Sequence, residues 1–145
     1  MHPEKNKVVI DTNIVISAAI SLDGAPADIF ELLLFGKIVN YTSHEILEEL
    51  HEVINRPYFK QSINEEYKQF VLNNFEQSSI IINPQFNEQV IIEDDKDNKF
   101  INCALTAKAD IISGDAHLKK LKSYKGVKIW DANSFLQMIE TGETQ

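Results

Sequence analysis

Short β-rich runs alternate with helical runs along this chain. The alternation predicts an α/β fold, a three-layer α/β/α sandwich with a central parallel sheet of about five strands. Two observations agree with it. The first strand candidate, Lys7–Asp11 (KVVID), is an apolar run of the kind buried on both faces of a sheet. The length, 145 residues with 43% apolar and 25% charged, fits one ordinary globular domain over 1–145. A chain of that size buries about two-thirds of its unfolded surface without covalent staples.

Each element has its own signal. Lys7–Asp11 is followed by Thr12-Asn13, so Asp11 either caps a following helix or is a ligand. Ala27–Phe35 has helical spacing and stops before Gly36, a helix C-terminal signal. Lys37–Tyr41 reads as a second strand. Ser43 is an N-cap for HEILEELHEVI, with Ile46, Leu47, Leu50, Val53 and Ile54 on one face, and Pro57 closes the segment. Glu65–Phe75 is a further amphipathic helix, and Ser79–Asn83 a third strand before Pro84. After an acidic loop come a helix over Lys99–Lys108 and a fourth strand, Ala109–Ser113, ending at Gly114-Asp115. A short helix through Leu118–Leu121, a fifth strand at Val127–Trp130 and a last helix at Ala132–Ile139 complete the order.

Composition narrows the function classes. Lys plus Arg number 14 against 22 Asp plus Glu, a net charge of −8, which argues against a simple electrostatic nucleic-acid binder. The charge is uneven: residues 96–128 hold eight lysines and three acids, and the remainder is strongly acidic. That stretch reads either as a solvated face or as a footprint for an anionic substrate beside an acidic site. One cysteine, Cys103, excludes an intramolecular disulfide and a Cys-rich zinc site. Met1–Lys7 is polar, and no run approaches the roughly 18 apolar residues that span a bilayer. The expectation is a cytoplasmic protein with no membrane contact.

In open α/β sheets ligands bind outside the carboxyl ends of the strands. Asp11 ends the first strand and Asp115 follows the fourth. Ser43 to Glu49 open the helix after the second strand, with Glu49 at the border of its apolar stripe. Asp94, Asp95 and Asp97 precede the helix leading into the fourth strand. Each has a plain reading as a cap, a helix-terminal charge or a turn residue. Their shared placement is the signal. Crowded carboxylates raise one another's pKa unless a cation neutralises them, and oxygen ligands suit Mg²⁺ or Mn²⁺. The chemistry natural to such a site is metal-assisted attack of water on a phosphodiester.

Four fragments together resemble the PIN-domain family of metal-dependent ribonucleases. They are VVIDTNIVISA (8–18), TSHEILEELHEVINRPYF (42–59), DDKDNKFINCALTAKADIISGDAHL (94–118) and KIWDANSFL (128–136), in family order over nearly the whole chain. The likeness is to the bacterial and archaeal subgroup described as toxins of toxin–antitoxin pairs. The resemblance implies the PIN-like sandwich with its acids at one end of the sheet. It places the family's four acids on Asp11, Glu49, Asp97 and Asp115. Asp94 matches a frequent extra acid, while Asp95 stands where the subgroup carries proline. Asn13, Ser43 and Ser113 fall on polar supporting positions. The implied activity is cleavage of single-stranded RNA with Mg²⁺ or Mn²⁺ held by Asp11, Asp97 and Asp115, with Glu49 completing the site. Lys96, Lys99, Lys119 and Lys120 are candidate contacts to the RNA backbone. The implied partners are RNA, an antitoxin that fills the acidic cleft, and a second copy in a homodimer or higher homo-oligomer.

Other constellations fail. An EF-hand starting at Asp95 lacks the sixth-position glycine (Phe100) and twelfth-position glutamate (Thr106). His44-Glu45 and His51-Glu52 lack the second zinc-protease histidine. His117 reads as a surface residue, Cys103 as a buried thiol and Trp130 as packing. Two alternatives stay open: a phosphotransfer domain using Asp11, and a catalytically silent PIN-like module that binds RNA or protein.

Overall fold

The computed structural model describes residues 5–90 and 95–142. Among them, six strands form one sheet in the order β3-β2-β1-β4-β6-β5. The strands are β1 (Asn6–Ile10), β2 (Ile38–Thr42), β3 (Ser79–Ile81), β4 (Asp110–Ile112), β5 (Ser123–Tyr124) and β6 (Val127–Trp130). All neighbours are parallel except β5, which runs antiparallel to β6. The helices are α1 (Thr12–Ile20), α2 (Ala25–Leu34), α3 (His44–Ile54), α4 (Glu65–Gln77), α5 (Asn98–Ala107), α6 (Ala116–Leu121) and α7 (Ala132–Thr141).

The layers follow from strand alternation. Successive side chains point to opposite faces. Val8, Ile10 and Ile112 therefore pack with α1, α2, α4 and α7 on one face, around Ile29, Val71, Phe75 and Phe135. Val9 and Ile111 face the other layer, built on Phe100, Ile101, Cys103 and Ala104 of α5 and Leu118 of α6. Helix α3 spans the border: Leu47, Leu50 and Ile54 join the first core and Ile46 the second. Among the described residues no single helix is long and apolar enough to cross a membrane.

The expected elements recur with local differences. Side-chain caps start five helices: Asp11, Ser43, Asn64, Asp115 and Asp131 each accept a backbone N–H from the first turn. Helix α2 begins two residues before the expected start, with proline in its first turn, where a missing N–H costs nothing. Strand β3 ends at Ile81 rather than Asn83. Ile82 N–H still reaches Thr42 O at 2.9 Å, and the chain then turns onto α5. There Asn98, Asn102 and Thr106, one turn apart, accept the N–H groups of Val90, Glu88 and Gln85. Strand β5 has no counterpart in the expected order. It forms through the Lys125-Gly126 turn, whose φ angles are +48° and +87°. Such a turn closes a two-residue hairpin.

Candidate functional site

Strand order reverses between β1 and β4. Chain progress from β1 goes outward through β2 and β3, and the return builds β4 and β6 on the other side. The loops leaving β1 and β4 therefore diverge, and a crevice opens at their carboxyl ends. Asp11 follows β1 directly, its N–H continuing the ladder to Ile112 O at 2.9 Å. Ser113, Gly114 and Asp115 leave β4 beside it. Residues 102 positions apart meet there: Ser113 Oγ donates to Asp11 Oδ2 at 2.5 Å. The same Ser113 oxygen accepts Asp115 N–H at 2.9 Å.

A cleft of about 190 Å³ opens at this end. It is lined by Asp11, Thr12, Asn13, Glu49, Val53, Arg56, Lys96, Asp97 and Asp115. Asp11 is 3% exposed. Burial pushes its carboxyl up to about 6, and the charges of Glu49 and Asp115 add to the rise. The Ser113 hydroxyl and the Asn13 amide, which donates to Asp11 Oδ1 at 3.3 Å, oppose it. Glu49 reaches the cleft from the middle of α3. Its Oε1 accepts the Thr12 hydroxyl at 3.0 Å, and its Oε2 pairs with Lys99 Nζ at 3.0 Å. Asp97 is buried at the start of α5. Asp115 caps α6: its Oδ1 accepts the N–H groups of His117 and Leu118 at 2.8 and 3.1 Å.

The residues expected from the sequence separate into groups. Asp11, Glu49, Asp97 and Asp115 line one cleft, with Asn13 at its exposed rim. Ser113 supports the site by holding Asp11. Ser43 is buried and spends its hydroxyl capping α3, where it accepts Ile46 N–H at 3.2 Å. Its link to the site is through the helix that carries Glu49. Asp94 lies outside the described residues. Lys96 is exposed at the cleft wall. Lys119 and Lys120 are exposed in the last turn of α6. Lys99 departs from the surface contact proposed for it. It is 8% exposed, and its ammonium points inward at Glu49 and at the Lys96 carbonyl.

Sequence reading passed over three participants. Thr12 looked like part of a cap, yet its hydroxyl ties α1 to Glu49. Arg56 sits on the cleft wall and forks onto Glu52 at 2.8 and 2.9 Å. His117 is a surface residue, as read, but the turn at Asp115 brings it back to the acids. Ligand atoms of Asp97, Asp115 and His117 lie within 4.8 Å of one another. Ligands at about 2.1 Å from one octahedral ion sit roughly 3–4 Å apart, so this donor set fits one divalent cation. The tight set contains His117 and does not include Asp11, which lines the same cleft with Ser113 donating to one oxygen and Asn13 to the other. The only local signal for His117 was its i+2 spacing from Asp115, which reveals proximity only once the α6 cap is formed.

A relative matches nearly the whole chain. An uncharacterized protein of Methanocaldococcus jannaschii is 41% identical over 139 residues, covering 95% of this chain and 84% of its own length. Residues 7–117 match the family described as PIN domain, a segment that contains all but the first residue of β1, the α3 glutamate and the turn after β4. The α/β/α sandwich and its acidic cluster are those of a nuclease-like fold, and the chain belongs to the PIN domain family.

Proposed function

We propose that this protein is a Mg²⁺- or Mn²⁺-dependent endoribonuclease that cuts single-stranded RNA. The observation that carries the reading is the convergence of Asp11, Glu49, Asp97 and Asp115 on one cleft, with Asp97, Asp115 and His117 spaced as one cation's ligands. Buried, mutually repelling carboxylates are costly without a counter-charge, and Asp11 already registers that cost. A divalent ion in this cleft would neutralise the acids, offset charge on the scissile phosphate and supply an activated water.

The protein's own groups hold the geometry. Ser113 fixes Asp11 with its hydroxyl proton and Asp115 with an oxygen lone pair. Thr12 and Lys99 fix both oxygens of Glu49, which faces the cleft to orient water. Arg56 and Lys96 stand on the wall where an RNA phosphate would enter, and phosphate would compete with Glu52 for the Arg56 fork. We place the enzyme in the cytoplasm, as the toxin of a toxin–antitoxin pair acting as a homodimer. The antitoxin would lay a basic side chain into the acidic cleft. Light scattering on the purified chain, alone and with the product of any adjacent small gene, tests both associations.

The test of activity is cleavage of a labelled single-stranded RNA by wild type with Mn²⁺ or Mg²⁺, by Asp97→Asn, and by wild type in EDTA. Cutting by the metal-loaded wild type alone is expected. RNA binding in EDTA with no cutting in metal would favour the silent module instead.

A further inference from the structure

The acids of the cleft differ in their neighbours. Asp97 and Asp115, with His117, offer ligand atoms to a cation. Glu49 already has a positive charge beside it: Thr12 donates to Oε1 and the Lys99 ammonium lies 3.0 Å from Oε2. The lysine side chain is only 6% exposed. Lysines are almost never buried unless paired, and this one has two anchors, the Glu49 carboxylate and the Lys96 carbonyl. The same ammonium lies 5.1 Å from the centre of the Phe100 ring, itself fully buried in the second core. Swinging Lys99 into solvent would leave Glu49 with an unpaired charge and open a gap beside Phe100. The positive charge is therefore fixed behind Glu49, which lines the cleft.

Two-cation nuclease sites hold their ions about 3.5–4 Å apart and bridge them with carboxylates. A second divalent ion on Glu49 would have to displace, or sit against, the Lys99 ammonium. We propose that Lys99 stands in for a second cation, so that this cleft binds one divalent ion, at Asp97, Asp115 and His117, while Glu49 stays outside its coordination shell. Lys99 is thus a positioning residue that sets the number of ions. The inference rests on the metal-dependent nuclease reading and specifies its stoichiometry.

The experiment is Mn²⁺ titration followed by calorimetry and electron paramagnetic resonance, on wild type, Lys99→Arg and Lys99→Met. Expected are one Mn²⁺ per chain with an uncoupled spectrum in wild type and Lys99→Arg, and two spin-coupled Mn²⁺ in Lys99→Met. Adding Glu49→Gln to Lys99→Met should return the count to one. Two ions in wild type, or a single ion in folded Lys99→Met, would overturn the proposal. The wild-type count decides by itself if Lys99→Met does not fold. Two ions in a wild type that cuts RNA would overturn this inference and leave the nuclease standing. No Mn²⁺ bound at millimolar concentration would overturn both.

Discussion

Replacing Asp11 with asparagine should change how stability depends on pH, by an amount set by burial. The Asp11 carboxyl is raised from 3.8 to about 6, first by desolvation and further by Glu49 and Asp115. Between those values the folded chain keeps a proton that the unfolded chain has released. Stability must then fall as pH rises through that window, and the loss is complete above about pH 6. At 1.36 kcal/mol per pH unit the loss is roughly 3 kcal/mol, an order-of-magnitude figure. Asparagine cannot ionise, so Asp11→Asn lacks this fall. Its weaker bond to Ser113 adds an offset that does not depend on pH. The assay is urea unfolding of both proteins in EDTA from pH 4 to 7.5, read as the difference between them. Other titrating groups cancel in that difference, apart from a small coupling through Glu49 and Asp115. Asp11→Asn should gain roughly 3 kcal/mol on wild type across the window, or roughly 6–12 °C in Tm for a chain of this size. A difference that stays flat over the range would refute the burial argument.

Three further outcomes follow from named contacts. Asp115→Asn should keep the α6 cap, because asparagine caps as well as aspartate, yet cut RNA on the order of 10²–10³-fold more slowly; unchanged turnover with normal circular dichroism would remove Asp115 from the site. Ser43→Ala should lower unfolding free energy by about 1 kcal/mol in urea titrations, since only the Ile46 cap bond is lost. Cys103 is fully buried and its thiol is pushed up to about 12 by desolvation, so a thiol reagent at neutral pH should react only as the protein unfolds. Rapid labelling of the native protein would contradict that burial.

Much of the fold was legible because its signals are local. Ser43 and the apolar stripe through Leu47, Leu50 and Ile54 define α3 within a dozen residues, and the helix runs His44–Ile54 as the spacing predicts. Helix α1 was harder to read: Thr12, Ile14, Val15, Ile16, Ala18 and Ala19 are all buried, so it shows little polar face to set a period. Strand β3 was overextended because Ile82 and Asn83 look like strand continuation. The side chains of Asn98, Asn102 and Thr106 on α5 capture the following segment instead. Strand β5 depends on a two-residue turn in which lysine holds a positive φ, a conformation that composition does not announce.

The acids were legible for a related reason. A strand ending in Asp11 and another followed by Asp115 put carboxylates at the sheet end whatever the strand order. The sequence alone thus determined the alternating elements, the caps at Asp11 and Ser43 and the acidic character of one end. Tertiary structure decided what those acids touch. Setting β1 beside β4 gives Asp11 its Ser113 partner and the burial that raises its pKa. Packing α3 against α5 turns Lys99 from an apparent surface charge into the buried partner of Glu49. The physical reason is range. Caps and periodicity act over a few residues, whereas desolvation and ion pairing depend on which distant segments the closed core forces together.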